Sequence, residues 1–285
     1  AIMTNCPETI IAMIATSSLG AIWTSCSPDF GADAIFDRIG QVKPKVLIAV
    51  DQYQYGGKTF NVTDKITSVS TKLENLSAIF IFQNSDTTPD YKNLKNAALF
   101  NECLDREETL SFASLPFDHP LYIMYSSGTT GKPKCICHSA GGTLIQHMKE
   151  HQLHLNLKPR DRLFFFSTCG WMMWNWLVSA LASKATILLY EGSPFYPYNE
   201  CLWDIADEEK ISHFGISPGY ISTLMKANVM PRKKYKLESL RTILSTGSPL
   251  LSDHFQYIQD DIKDGVQISS ISGGTDIISC FVLGN

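Results

Sequence analysis

Apolar runs of strand length alternate with helix-length amphipathic segments along the whole chain, the pattern of an α/β protein built on a mainly parallel sheet. Pro7 and Glu8 open a helix that stops near Gly20, residues 21–26 can extend, and residues 33–41 read as a second helix before Pro44. Lys45-Val-Leu-Ile-Ala-Val50 and Ala78-Ile-Phe-Ile-Phe82 read as strands, and the polar stretch from residue 83 to about 118 as loops with a short helix. Leu121-Tyr-Ile-Met-Tyr125 is a further strand that feeds a glycine-rich loop. After Pro159 the alternation restarts, with strands near 163–168, 185–190, 213–217, 240–245 and 266–271. Two stacked α/β lobes are expected, residues 1–158 with the glycine-rich loop and residues 159–285. Ala1 is not an initiator Met, the first helix begins almost at once, and Asn285 stops after a strand-like run, so the sequence reads as a piece truncated at both ends.

Composition narrows the function classes. A chain of 285 residues that is 44% hydrophobic and 18% charged can bury a large core, so disorder is not expected. A net charge of −4 gives no broad footprint for nucleic acid or an anionic membrane, and small-molecule substrates fit better. The basic cluster Arg232, Lys233, Lys234 and Lys236 reads as a solvated loop. Eight cysteines are too sparse for a disulfide scaffold and fit a reducing cytosol. Cys135 and Cys137 have the wrong spacing for a Cys-x-x-Cys element and read as packing residues on one face of a strand. Residues 9–28 and 163–183 carry no charge, but their Ser, Thr and Gly content suits a helix and a buried strand better than a membrane span.

The strongest local signal is Ser126-Ser-Gly-Thr-Thr-Gly-Lys-Pro-Lys134, directly after a strand. Small residues let the backbone close around oxygens, main-chain amides and hydroxyls satisfy phosphate lone pairs, and the two lysines offset charge. It is not a Walker A loop: Ser126 stands at the position of that pattern's first glycine, and Pro133 where Ser or Thr should follow the lysine. An ordinary Gly/Ser/Thr surface loop would account for a few of these residues but not for all together. His147, His151 and His154 share a helical face, yet no metalloprotease glutamate and no third ligand accompany them, so metal binding is not expected. The segment from residue 146 to 155 reads instead as a partly exposed helix.

Tyr125-Ser-Ser-Gly-Thr-Thr-Gly-Lys-Pro-Lys134 resembles the phosphate-loop signature of the adenylate-forming superfamily, which includes acyl-CoA synthetases, peptide-synthetase adenylation domains and luciferase. Gly247-Ser-Pro249 resembles the stretch that lies against adenine in that superfamily, and Ser272-Gly-Gly-Thr-Asp276 its later Thr-Glu motif. The resemblance covers nearly the whole chain. The segments beginning at Ile22, His138, Gly170 and Ile271 look like the acetoacetate-activating branch of the acyl-CoA synthetases. It implies the luciferase-like fold and ATP, Mg²⁺ and CoA as reactants and cofactor. The implied reaction has two steps, in which a carboxylate, here acetoacetate, forms an acyl-adenylate that CoA then converts to a thioester.

By the same resemblance Ser127, Gly128, Thr129, Thr130, Gly131 and Lys134 would hold the triphosphate. Gly247, Ser248 and Pro249 would lie against adenine, with Ser272, Gly273 and Gly274 beside them. Thr275 would bond the α-phosphate and Asp276 would help hold Mg²⁺, which makes Thr275, Asp276 and Lys134 the catalytic candidates. Asp276 departs from the superfamily's Glu; a shorter carboxylate needs a closer metal or a bridging water. Acetyl-CoA synthetases have a tryptophan where Gly273 aligns, so the glycine implies room for a larger acid, with Trp171, Met172, Trp174 and Asn175 as the other wall. Core packing at helical spacing is the competing account of those aromatics. Tyr55 and Lys58, beside Gly56-Gly57, align with a CoA-contacting stretch and equally suit a solvated loop. The small C-terminal domain of that superfamily has no counterpart before Asn285, so the chain alone is not expected to complete the thioester step. Composition and motifs imply neither an oligomeric state nor a nucleic-acid or membrane partner.

Overall fold

A computed structural model describes residues 1–104, 109–126 and 131–284. The chain divides into two compact units, Ala1–Gly142 with Thr168–Trp171, and Thr143–Ser167 with Met172–Asn285.

In the first unit, helix α1 (Pro7–Ser18) starts on a proline whose missing N–H is not needed there, and Gly20 follows its end at φ +74°. Helix α2 (Ala32–Ile39) buries Ile35 and Ile39, one turn apart, and sets Asp33 and Arg38 at the ends its dipole favours. Strand β1 (Val46–Val50) leads to the hairpin of β2 (Gln52–Tyr55) and β3 (Lys58–Asn61). That hairpin turns on Gly56 and Gly57, both with positive φ, as a two-residue connection requires. Helix α3 (Thr63–Ser70) precedes β4 (Ala78–Phe82) and β5 (Ala97–Leu99), and β1, β4 and β5 form a parallel sheet in the order β1-β4-β5. Strands β6 (Pro120–Ser126) and β7 (Lys134–Ser139) form an antiparallel pair in which Ser126 opposes Lys134. The extended segment 21–26 makes isolated bridges, Trp23 to Tyr122 and Cys26 to Ile2, rather than a strand. Helix α4 (Ala140–Lys149) runs on as a π-turn, Glu150–His154.

The second unit carries the larger sheet. Its elements run β8 (Arg162–Phe165), α5 (Met172–Ser179), β9 (Thr186–Leu188), α6 (Cys201–Glu208), β10 (His213–Ile216), α7 (Pro218–Lys226), α8 (Pro231–Lys234), β11 (Thr242–Ser245), α9 (Ser252–Tyr257) and β12 (Gln267–Ser270). The five strands are parallel in the order β12-β11-β10-β8-β9. Successive strand residues point to opposite faces: Phe164, Phe214 and Ile243 pack with α6 and α7, while Leu163, Phe165 and Leu244 pack with α5. Both faces are covered, so β10 and β11 are buried at every position. Gly215 is needed because a Cβ there would enter the Phe165 ring. A short hairpin, β13 (Ser272–Gly274) with β14 (Ser279–Val282), follows the last parallel strand.

The mixed α/β architecture with a parallel sheet follows the sequence expectation. One local reading is corrected. Cys135 and Cys137 are exposed, because β7 belongs to a two-stranded ribbon whose outer face nothing described covers. The segment 146–155 is the partly exposed helix expected, with Gln152 and Leu153 in solvent and His147, Glu150 and His151 buried on its inward side. Among the described residues no helix is long and apolar enough to cross a membrane.

Candidate functional site

In the first unit, β6 ends at Ser126 and β7 resumes at Lys134, so the two strands hold the ends of the phosphate-loop candidate. Ser127, Gly128, Thr129 and Thr130 lie outside the described residues. Gly131 sits at φ +114° with open space where a Cβ would be, a backbone that only glycine adopts without strain. Gln41 Nε2 donates to the Pro133 carbonyl at 2.9 Å, and Lys132 pairs with Asp37 at 3.0 Å. Both contacts tie the loop's exit to α2 and its continuation. Lys132 is therefore already paired, whereas Lys134 is exposed and makes no ion pair among the described residues. Tyr55 and Lys58 oppose each other across the exposed β2–β3 turn, and Trp171 is 59% exposed.

In the second unit, the candidate adenine stretch and the later motif leave from adjacent parallel strands, β11 and β12. Ile271 N donates to Ser245 O at 2.7 Å, Thr246 Oγ1 donates to Ile271 O at 3.0 Å, and Leu250 N reaches Ser270 Oγ at 3.4 Å. Between the buried anchors Ser245 and Leu250, the residues Gly247, Ser248 and Pro249 are exposed, with Gly247 at φ +99° and empty space around it. The carboxyl ends of parallel strands are where open α/β sheets bind ligands. Ser272, Gly273 and Gly274 form β13, and Thr275 and Asp276 lie in the turn 275–278, with Ile278 N donating to Thr275 O at 3.3 Å. Asp276 is exposed, on the tip of that turn.

The turn is held from below. Ile278 adopts φ +49°, a left-handed conformation costly for a β-branched residue. His147 Nε2 donates to the Ile278 carbonyl at 2.9 Å. Ser279 Oγ donates to Glu150 Oε1 at 2.5 Å, and Trp176 Nε1 donates to Glu150 Oε2 at 2.8 Å. Gln146 Nε2 adds a bond to Oε1 at 3.0 Å and another to Ser279 Oγ. Burial works to raise the Glu150 carboxyl, but donation from Ser279, Gln146 and Trp176 outweighs it and holds the group below the usual carboxylate range. Beside it, burial and then the neighbouring His147 push the His151 imidazole down to about 3, while its Nε2 donates to the Trp176 carbonyl at 3.0 Å. The Cys280 thiol, 3.4 Å from Glu150, is pushed up to about 12 by burial and then by that carboxylate.

These histidines are structural hydrogen-bonding groups in this arrangement, and among the described residues no group of three or more His, Cys, Asp or Glu is placed to hold a metal. Met172 lines a 10 Å³ cavity with Met173, Trp176, Ile271 and Cys280, about the volume of one water and too small for an acyl chain. Trp174 and Asn175 are buried within α5. Gly273 has a local reason to be glycine: a Cβ there would lie 2.5 Å from Cys280 Cα and 2.8 Å from its Cβ. Glu150, Trp176, Ile278 and Ser279 escape a reading of the sequence. A Glu next to Lys149 looks like a solvated helix position, and its partners lie 26 and 129 residues away.

The family described as AMP-binding enzyme matches residues 1–283. The chain is 49% identical over 287 residues to the acetoacetyl-coenzyme A synthetase of Rhizobium meliloti (strain 1021), covering all of this chain and 44% of that relative. It is 46% identical to the acetoacetyl-CoA synthetase of Gallus gallus, covering 98% of this chain and 43% of that one. The solved acetoacetyl-CoA synthetase from Streptomyces lividans superposes with a TM-score of 0.93 at 40% identity, over 99% of this chain and 44% of that one. The chain thus spans less than half the length of the relatives it matches.

Proposed function

The chain belongs to the AMP-binding enzyme family, and we propose that it supplies the ATP and acyl site of an acetoacetate-activating, AMP-forming CoA ligase. The reaction is attack of the acetoacetate carboxylate on the α-phosphorus of ATP, with release of pyrophosphate, followed by displacement of AMP by the CoA thiol. The observation that carries this reading is that Gly247-Ser-Pro249 follows β11 and the Ser272–Asp276 motif follows β12, two adjacent parallel strands whose exits are joined from Thr246 to Ile271.

The roles follow from what each group can offer. The exposed face of Gly247, Ser248 and Pro249 suits a purine ring, with Ser272, Gly273 and Gly274 alongside. The amides and hydroxyls of residues 127–131 and the Lys134 ammonium balance the triphosphate charge, the main electrostatic problem of the first step. Thr275 offers a hydroxyl to the α-phosphate. The Asp276 carboxylate is a hard oxygen donor at an exposed turn and suits Mg²⁺, which commonly takes few carboxylates and keeps substrate phosphates and waters. When bound, Mg²⁺ neutralises phosphate charge. Trp171 and Met172 would form the acyl wall, with Trp174 and Asn175 supporting it from within. Tyr55 and Lys58 would meet the nucleotide end of CoA. Eight cysteines, none of them in a disulfide among the described residues, support a reducing, cytosolic compartment.

A second reading keeps the chemistry and changes the acid. Because Gly273 is demanded by the close approach of β14, its lack of a side chain is weaker support for an enlarged pocket, and another short- or medium-chain acid would serve the same site. Acid-dependent exchange of labelled pyrophosphate into ATP, measured on the full-length protein with acetate, acetoacetate, butyrate and no acid, separates the two. Strongest exchange with acetoacetate supports the first reading, and strongest exchange with another acid supports the second. No exchange with any acid rejects both in favour of a nucleotide-binding chain without turnover.

A further inference from the structure

We infer that Glu150 is a positioning residue for the Thr275–Asp276 turn, acting through Ser279 and the hairpin rather than by touching substrate; the inference rests on the adenylation reading above. A carboxylate that is 2% exposed and makes no ion pair among the described residues is costly to bury unless donors replace its water. Here those donors come from three separate elements: Gln146 from its own helix, Trp176 from α5, and Ser279 with Cys280 from β14. One turn earlier on α4, His147 donates to the carbonyl of Ile278, the last residue of the turn. The helix therefore grips the chain at two consecutive residues immediately after Asp276 and Ile277.

The grip falls where the backbone needs it. Ile278 stays left-handed only while its surroundings enforce that conformation, and relaxation of Ile278 would swing the turn bearing Thr275 and Asp276. The chemistry also specifies a carboxylate. Glu150 accepts on both oxygens at once, from a hydroxyl on Oε1 and an indole N–H on Oε2. A glutamine would turn an NH₂ group towards one of those donors and lose that bond.

The test uses the full-length protein, with Glu150→Gln and, as a milder variant that keeps the carboxylate, Ser279→Ala. Misplaced α-phosphate and metal contacts lower turnover more than nucleotide affinity, because the Gly247–Pro249 stretch is untouched. Glu150→Gln is expected to lower the maximal rate of acid-dependent pyrophosphate exchange about tenfold or more while the KM for ATP changes by no more than about threefold. Amide hydrogen exchange of residues 275–280 should accelerate in the same variant. Ser279→Ala should move both readouts in the same direction by less, and the double variant should be no worse than Glu150→Gln alone. Wild-type exchange rates in Glu150→Gln, additive losses in the double variant, or hairpin amides as protected as in wild type would each overturn the inference. If Glu150→Gln does not fold, Ser279→Ala carries the same two readouts and decides alone. Absence of exchange in the wild type rejects the adenylation reading itself, and the hairpin amides then decide the clamp separately.

Discussion

Gly273 and Cys280 face each other across the β13–β14 hairpin with no space between their backbones for a side chain, since a Cβ on Gly273 would fall 2.5 Å from Cys280 Cα. Gly273→Ala must push β14 away, and β14 is the strand that Glu150 holds. We expect Gly273→Ala to lower the melting temperature and to reduce pyrophosphate exchange by about tenfold or more. Gly247→Ala is the control: its Cβ has open space, and only the φ of +99° is strained, at about 1 kcal/mol. Wild-type melting of Gly273→Ala would refute the close approach.

Acidification should destabilise the second unit. His151 is held near 3 and His213 is lowered as well, burial leading in both, so the folded state binds fewer protons than the unfolded chain as pH falls below the ordinary imidazole value of 6.5. A depressed folded pKa on a histidine contributes stability above that value, and it is lost as pH falls towards the folded pKa. Glu150, also lowered, adds loss with the same sign below the ordinary carboxylate value of 4.5. Each neutral imidazole contributes at most about 1.4 kcal/mol per pH unit. Denaturant titrations between neutral pH and pH 4 should show this slope, and His151→Gln should flatten it.

Two tryptophans of one motif should behave oppositely. Trp171 is 59% exposed, so Trp171→Ala should cost no more than about 0.5 kcal/mol of stability, while changing the acid preference of exchange if Trp171 lines the acyl wall. Trp176→Phe removes the donor to Glu150 Oε2 and should cost about 1–3 kcal/mol, read by chemical denaturation. Equal stability losses would contradict the burial assigned to each.

Asp276→Asn leaves the exposed turn intact but removes its anionic oxygen. The Mg²⁺ concentration for half-maximal exchange should rise about tenfold or more, with no change in melting temperature, and Asp276→Glu should restore most of the affinity. An unchanged Mg²⁺ requirement in Asp276→Asn would remove this residue from metal binding.

The sheet was legible in the sequence because Leu163–Phe165, Phe214–Ile216 and Ile243–Leu244 are apolar on both alternations, which only a strand covered on both faces sustains. The hairpin β13–β14 was not. Its turn ends on Ile278, a β-branched residue in a left-handed conformation where turn chemistry leads one to expect Gly or Asn. Glu150 was hidden for a different reason: its burial depends on donors from α5 and β14, and neither is visible from helical periodicity. Gly247-Ser-Pro249 and Thr275–Asp276 were found as motifs. That they leave from adjacent strands follows from the pairing of β11 with β12.

The strand order of the second unit also sets a timetable for synthesis. Chain growth adds β9 on one side of β8 and then β10, β11 and β12 on the other, so the strand made last always forms the newest border. Until Gln267–Ser270 has left the ribosome, that border is β11, whose four residues are all destined for the interior. A nascent chain stalled at that stage would present an unpaired edge of residues meant for the interior, a natural target for chaperones and for aggregation.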